Sequence, residues 1–148
     1  MPAAPAPPDL SKRPWHLRLE RHMAAAPEAL YLAFTDGIDR WFAAPGTLAT
    51  RAEVGTAFYF ATEHAGERHP HYGRYLRVEP GRLVELTWLT EGGTHGAETV
   101  VTVELQPQGT GTRLTLTHAG FPAEALRDRH AQAWPQVLAH LDATVRPA

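Results

Sequence analysis

Apolar and polar positions alternate from Trp15 to Leu19, with Trp15, Leu17 and Leu19 on one side and His16, Arg18 and Glu20 on the other. That two-residue period predicts a half-buried strand. The signal then changes. Pro27-Glu28 predicts a helix start, because proline is tolerated in the first turn and an acid suits the positive helix end. Leu30, Tyr31 and Phe34 share one face of this helix, Asp36-Gly37 ends it, and Ile38 to Phe42 reads as a second short helix presenting Trp41 and Phe42.

The middle of the chain returns to the two-residue period. Phe58 and Phe60 alternate with Tyr59 in a strand that closes at Ala65-Gly66. A strand from about Tyr72 to Val78 ends at Glu79-Pro80-Gly81-Arg82, where proline and glycine suit the central turn positions. Leu83 to Thr90 follows with Val84, Leu86 and Trp88 on one face, and Glu91-Gly92-Gly93 opens a loop. Thr99 to Leu105 and Thr112 to His118 are the last alternating segments, the second with Leu114, Leu116 and His118 on one face. Short turns between strands predict an antiparallel meander. From about Ala123 to Val145 the period is helical: Leu126, His130, Trp134, Val137, Leu138, Leu141 and Val145 form one stripe, and Pro135 predicts a kink or two abutting segments. The expected order is strand, two short helices, six strands and one long helix. A curved sheet whose apolar face is closed by that helix satisfies both apolar surfaces at once.

Composition narrows the chemistry. The 148 residues carry a formal charge of −2, no cysteine, one lysine (Lys12), one serine (Ser11) and no asparagine. Ser-His and Cys-His nucleophile pairs, disulfides, thiolate metal sites and a P-loop lysine are therefore excluded or stripped of their key group. The arginine-rich positive charge forms no basic run, which argues against nucleic acid as a partner. No stretch approaches the ~18 apolar residues of a membrane span. The N-terminus lacks the pattern of a signal peptide, so a cytoplasmic protein is expected. Residues 1–12 hold four prolines and read as a disordered Pro/Ala-rich tail, leaving 13–147 as a single domain.

Four segments resemble a known family. They are Ala26 to Asp36 followed by Trp41-Phe42; Gly73 to Pro80 with Leu83 to Trp88; Thr112 to Phe121; and Trp134 with Val137 to Leu141. Together they resemble the START-like (SRPBCC, Bet v 1-like) superfamily, and within it the bacterial proteins similar to the C-terminal domain of the activator of Hsp90 ATPase. One departure is Ala133, where the family commonly has glycine before the helix tryptophan. The resemblance implies an α+β helix-grip fold: a seven-stranded curved antiparallel sheet wrapped on a long C-terminal helix, two short helices between strands 1 and 2, and a cavity between sheet and helix. In the eukaryotic activator a separate domain precedes this one, and the roughly 13 residues before the first strand here leave no room for it.

The implied cavity makes a small hydrophobic or amphipathic molecule the expected partner, with no cofactor, no metal and no catalytic residue assigned. Alternation along the strands and the helix stripe place Leu76, Val78, Leu86, Trp88, Val101, Val103, Leu116, Trp134, Val137, Leu138 and Leu141 inward, either as cavity lining or as plain core. The same period turns Tyr72 and Arg74 inward with Leu76. Arg74 would then meet a ligand anion, or sit at the rim with its head in water. His118 reads as a polar handle or proton carrier, or as a strand-end histidine bonded to the last helix. His64, His69 and His71 read as solvated loop histidines with no matching third metal ligand. Glu85 and Glu104 fall on the outer face. Two other functions stay open: a chaperone-binding or homodimeric interaction module, and a cyclase- or dehydratase-like enzyme needing His118, Arg74, Tyr72 or Tyr75 to converge.

Overall fold

The computed structural model describes residues 6–43, 54–55 and 57–146, without the side chains of Asp39 and His64. Strand β1 (Trp15–Met23) leads to helix α1 (Pro27–Ala33) and a single 3₁₀ turn at Ile38–Arg40. Five strands follow: β2 (Ala57–His64), β3 (Glu67–Glu79), β4 (Leu83–Trp88), β5 (Thr99–Gln108) and β6 (Gly111–Phe121). A one-turn helix α2 (Glu91–Thr94) lies between β4 and β5, and helix α3 (Glu124–Val145) ends the chain. All ladder pairings are antiparallel, in the order β1-β6-β5-β4-β3-β2. The meander β2 to β6 is thus extended by the first strand, which pairs with the last.

This is an α+β fold with an antiparallel sheet and a long C-terminal helix, and the sheet has six strands among the described residues instead of the expected seven. Val54 contributes only an isolated bridge to Tyr75. Of the two forms expected at Pro135, two abutting segments are not found, since α3 is one helix of 22 residues that runs through the proline. Pro135 lies on the exposed side of α3, as does Ala131 four residues earlier, so water can take the carbonyl that loses its partner.

The α3 residues Leu126, Trp134, Leu138 and Leu141 join Leu86, Val101, Val103, Leu114 and Leu116 of the sheet in one core cluster. At its far end α3 is tied to the β1–α1 connection, where Asp142 accepts from the Ala24 N–H at 2.9 Å and from Arg21 at 3.2 Å. Outside the sheet, Glu85 accepts from Arg77 at 3.1 and 3.2 Å and from the Thr102 hydroxyl at 2.9 Å, a polar ladder facing solvent.

The phase of β3 differs from the expectation. Tyr75 pairs with Leu86 but Arg77 pairs with Glu85, so Leu76 is an extra residue in a β-bulge. A bulge resets which side chains face the core. Tyr75 is buried in the core cluster and Val78 packs against it, whereas Leu76 is buried outside that cluster. Tyr72 is 48% exposed, and Arg74 makes a two-pronged contact with Glu98 at 3.1 and 3.2 Å. The inward orientation expected of Tyr72, Arg74 and Leu76 is therefore reversed. Apolar residues at 72, 75, 76 and 78 fit two phases, and only strand pairing selects one.

Close backbone approach accounts for Gly111 at the start of β6. A Cβ there would overlap the Met23 carbonyl oxygen of the neighbouring strand. Gly111→Ala is expected to destabilise the fold by about 1–3 kcal/mol in urea unfolding. Gly92→Ala, where a Cβ meets nothing within 4 Å, should leave the midpoint nearly unchanged. Equal midpoints for the two variants would contradict this packing.

Candidate functional site at the sheet–helix junction

Aromatic side chains close most of the space between sheet and helix. Trp88 of β4 meets Trp134 of α3 with ring centroids 5.8 Å apart and meets Phe60 of β2 at 5.6 Å. Leu86, Val101, Val103, Leu116, Leu138 and Leu141, each expected inward, are at most 1% exposed and pack on one another as core. No enclosed cavity lies among them. What remains open is an apolar pit of about 160 Å³ at one end, lined by Phe42, His71, Trp88, His130, Ala133, Trp134 and Val137. It adjoins a wider cleft of about 630 Å³ that opens to solvent past Thr62, Arg68, His69, Glu91, Gly92, Gly93 and Arg129.

The pit's inner wall is held by a hydrogen-bond relay. Indole Nε1–H of Trp134 donates to His118 Nδ1 at 3.1 Å. Indole can only donate, so Nδ1 is the bare nitrogen of His118 and the proton sits on Nε2. Nε2–H then donates to Thr99 Oγ1 at 2.7 Å, and the Thr99 hydroxyl donates to the Trp88 carbonyl at 2.5 Å. Both ring nitrogens are engaged and His118 is fully buried. Burial, aided by the neighbouring His130, pushes its pKa well below the ordinary value. His118 therefore holds α3 to three strands and is shut off from the pit by Trp134, a structural assignment in place of a proton carrier.

Two further histidines line both pit and cleft. His71 was expected as a solvated loop residue, but β3 begins at Glu67 and carries it inward, 8% exposed. Its ring stacks on Phe60 at 4.9 Å and meets Trp88 edge-on at 5.1 Å. Burial lowers its pKa to about 4, against the opposing hydrogen bond to the His69 carbonyl. His130 sits across from it on α3, its pKa lowered by burial and by Arg129. Gly93 in α2 lies against it: a Cβ there would stand 2.7 Å from Thr90 Oγ1 and 3.3 Å from His130 Cε1. His69 lies at the exposed mouth, and the His64 side chain lies outside the described residues. No group of three or more potential metal ligands occurs among the described residues.

Of the residues expected at a ligand site, then, Trp88, Trp134 and Val137 line the pit, with His118 behind them. Phe42, His71, His130 and Ala133 join them in the pit wall beyond what the alternation and the helix stripe indicate. His130 was visible in the helix stripe but read as core. Phe42 was visible as an aromatic of the second short segment. The four groups of the enzyme hypothesis do not converge: His118 is sealed in, Tyr75 donates to the Phe34 carbonyl at 3.4 Å inside the core, and Arg74 and Tyr72 face the other way.

Residues 24–146 match the family described as activator of Hsp90 ATPase homolog 1-like protein. The chain belongs to this family. A crystal structure of a Chromobacterium violaceum protein is similar at 27% identity and TM-score 0.76, covering 90% of this chain and 99% of that one. The AHSA1 protein of Silicibacter pomeroyi is similar at 28% identity and TM-score 0.71, covering 86% and 95%. An Aha1 dimer from Colwellia psychrerythraea, solved in solution, shares the fold at 19% identity and TM-score 0.66, covering 88% and 96%. No curated protein matches the sequence. In this AHSA1-like chain Ala133 puts a methyl group on the pit wall beside Trp134.

The three inward histidines give stability a definite pH dependence. Unfolded, each binds a proton near its ordinary value of 6.5; folded, each resists it. Their contribution is complete above about pH 6.5 and is lost as the pH falls toward the depressed native values, with a slope of up to about 1.4 kcal/mol per pH unit for each. Thermal melts should therefore shift downward between about pH 7 and about pH 5. His71→Phe should flatten that slope by about one proton. A midpoint that does not move over this range would contradict the assignment.

Proposed function

We propose that the protein binds a small apolar or amphipathic molecule at the sheet–helix junction, its apolar part in the pit and its polar part in the cleft. The observation carrying this reading is the pit itself. A largely aromatic recess of about 160 Å³ remains open at one end of the core, with His71 and His130 in its wall and further polar groups at its mouth. Concave, largely apolar sites with a few polar groups are the usual form of small-molecule sites. Among the described residues no helix is long and apolar enough to cross a membrane, and a cytoplasmic setting belongs to the same proposal. The probe 1-anilinonaphthalene-8-sulfonate should bind and report the pit by fluorescence. Ala133→Trp, an exposed position on the pit wall, should weaken it by at least about tenfold while leaving the melt intact. An unchanged titration in that variant would sink the reading.

Family membership and the Colwellia Aha1 dimer favour a second reading, a protein-interaction module working on a chaperone or on a second copy. Leu32, 54% exposed on α1, Tyr72, 48% exposed on β3, and Val54, 43% exposed, are the exposed large apolar groups among the described residues that such a surface would use. Adding the protein to purified Hsp90 should then raise ATP turnover, and Leu32→Glu should reduce the effect. An unaltered turnover would retire the chaperone role, and a monomer in sedimentation would retire the dimer.

A further inference from the structure

The pit holds two hydrogen-bond acceptors whose identity is set by backbone carbonyls. His71 Nδ1 lies 2.9 Å from the His69 carbonyl oxygen, and His130 Nδ1 lies 2.9 Å from the Leu126 carbonyl oxygen. A carbonyl only accepts, so in each ring Nδ1 carries the proton and donates it. Each neutral ring therefore presents Nε2 as a bare lone pair. No described group donates to either Nε2. Neither Nε2 is a fully buried atom, since Arg21 Nε is the one fully buried side-chain nitrogen without a partner among the described residues. His71 reaches the pit from the sheet and His130 from the helix, so an acceptor stands on each wall.

Their surroundings are apolar. Phe42, Trp88 and Trp134 make up most of the remaining wall, and Phe42 lies 5.6 Å from the His71 ring and 5.5 Å from the Trp88 ring. An apolar ring fits such a space, since an apolar cavity of about 150 Å³ holds one benzene. A ring that merely filled it would strip water from two acceptors and return nothing, and a buried acceptor left unmade is costly. We propose that the site selects ring compounds bearing an O–H or N–H donor, with the ring against Phe42, Trp88 and Trp134 and the donor on Nε2 of His71 or His130. This inference rests on the ligand-binding reading and adds the chemical class of the ligand. Burial keeps both imidazoles neutral near neutral pH, so the lone pairs are available there.

The test is a matched pair of probes, 2-naphthol and 2-methoxynaphthalene, which differ in whether the oxygen can donate. Calorimetric titration of the full chain at neutral pH should show 2-naphthol binding at least about tenfold more tightly. In His71→Phe or His130→Phe that preference should shrink toward unity while the methoxy compound keeps its affinity, with melts confirming that each variant folds. Phenylalanine preserves the stacking on Phe60 at position 71, and the half-buried position 130 supplies a second variant should the first not fold. Equal affinity of the wild-type protein for both probes overturns the donor selection and leaves ligand binding standing. Binding of neither probe overturns both. A preference that survives both substitutions places the donor elsewhere and overturns the assignment to these histidines.

Discussion

One hydrogen-bond relay decides how the two layers of this protein meet. Trp134 of α3 donates to His118 of β6, His118 to Thr99 of β5, and Thr99 to the Trp88 carbonyl of β4. Each group in it is buried, so each would be expensive to leave unpaired, and each finds its partner only when helix and strands sit in this register. The relay fixes the tautomer of His118 and sets the depth at which Trp134 enters. The shape of the remaining space follows from that depth. With Trp134 pressed on Trp88, the centre of the sheet–helix interface is closed, and the residual volume is displaced toward Phe42, His71 and Val137.

The site is thus the product of an incomplete filling. Aliphatic side chains on β4, β5, β6 and α3 pack to completion, and the aromatic end does not. Rigid, flat rings leave a recess where they meet at steep angles, as Phe42 does with Phe60 and His71 at 87° and 88°. Two imidazoles border that recess, and because their Nδ1–H groups are occupied by nearby carbonyls, the other nitrogen of each is left as an acceptor. Family membership is consistent with such a scaffold hosting different tasks, since function follows from the groups placed on a fold. Here those groups are aromatic, neutral and few.

Much of the architecture was legible in the one-dimensional pattern. The alternation at Trp15–Leu19, Val84–Trp88, Val101–Leu105 and Leu114–His118 marks strands whose inward faces are those found, and the helix stripe marks α3. Where the pattern misled, the cause was local and physical. On β3 the apolar positions permit two phases, and the bulge at Leu76 chose the one that buries Tyr75 and turns Arg74 toward Glu98. The histidines near β3 looked like loop residues because Pro70 interrupts them. The strand begins before the proline, at Glu67, and continues through it in pairing with β2.

The sequence by itself determined the antiparallel meander, the long closing helix and an inventory without cysteine and with one serine and one lysine. These follow from periodicity and residue inventory, which are properties of neighbours along the chain. Tertiary structure alone decided that six strands pair among the described residues, that the inward aliphatic residues pack as core, and that an apolar pit has His71 and His130 in its wall. The physical reason is distance along the chain. His71 and His130 are brought together by the pairing of β2 with β3 and the docking of α3, and which nitrogen each presents depends on carbonyls positioned by those same contacts. No local pattern carries that information. It emerges only when burial forces separate segments to share one interior.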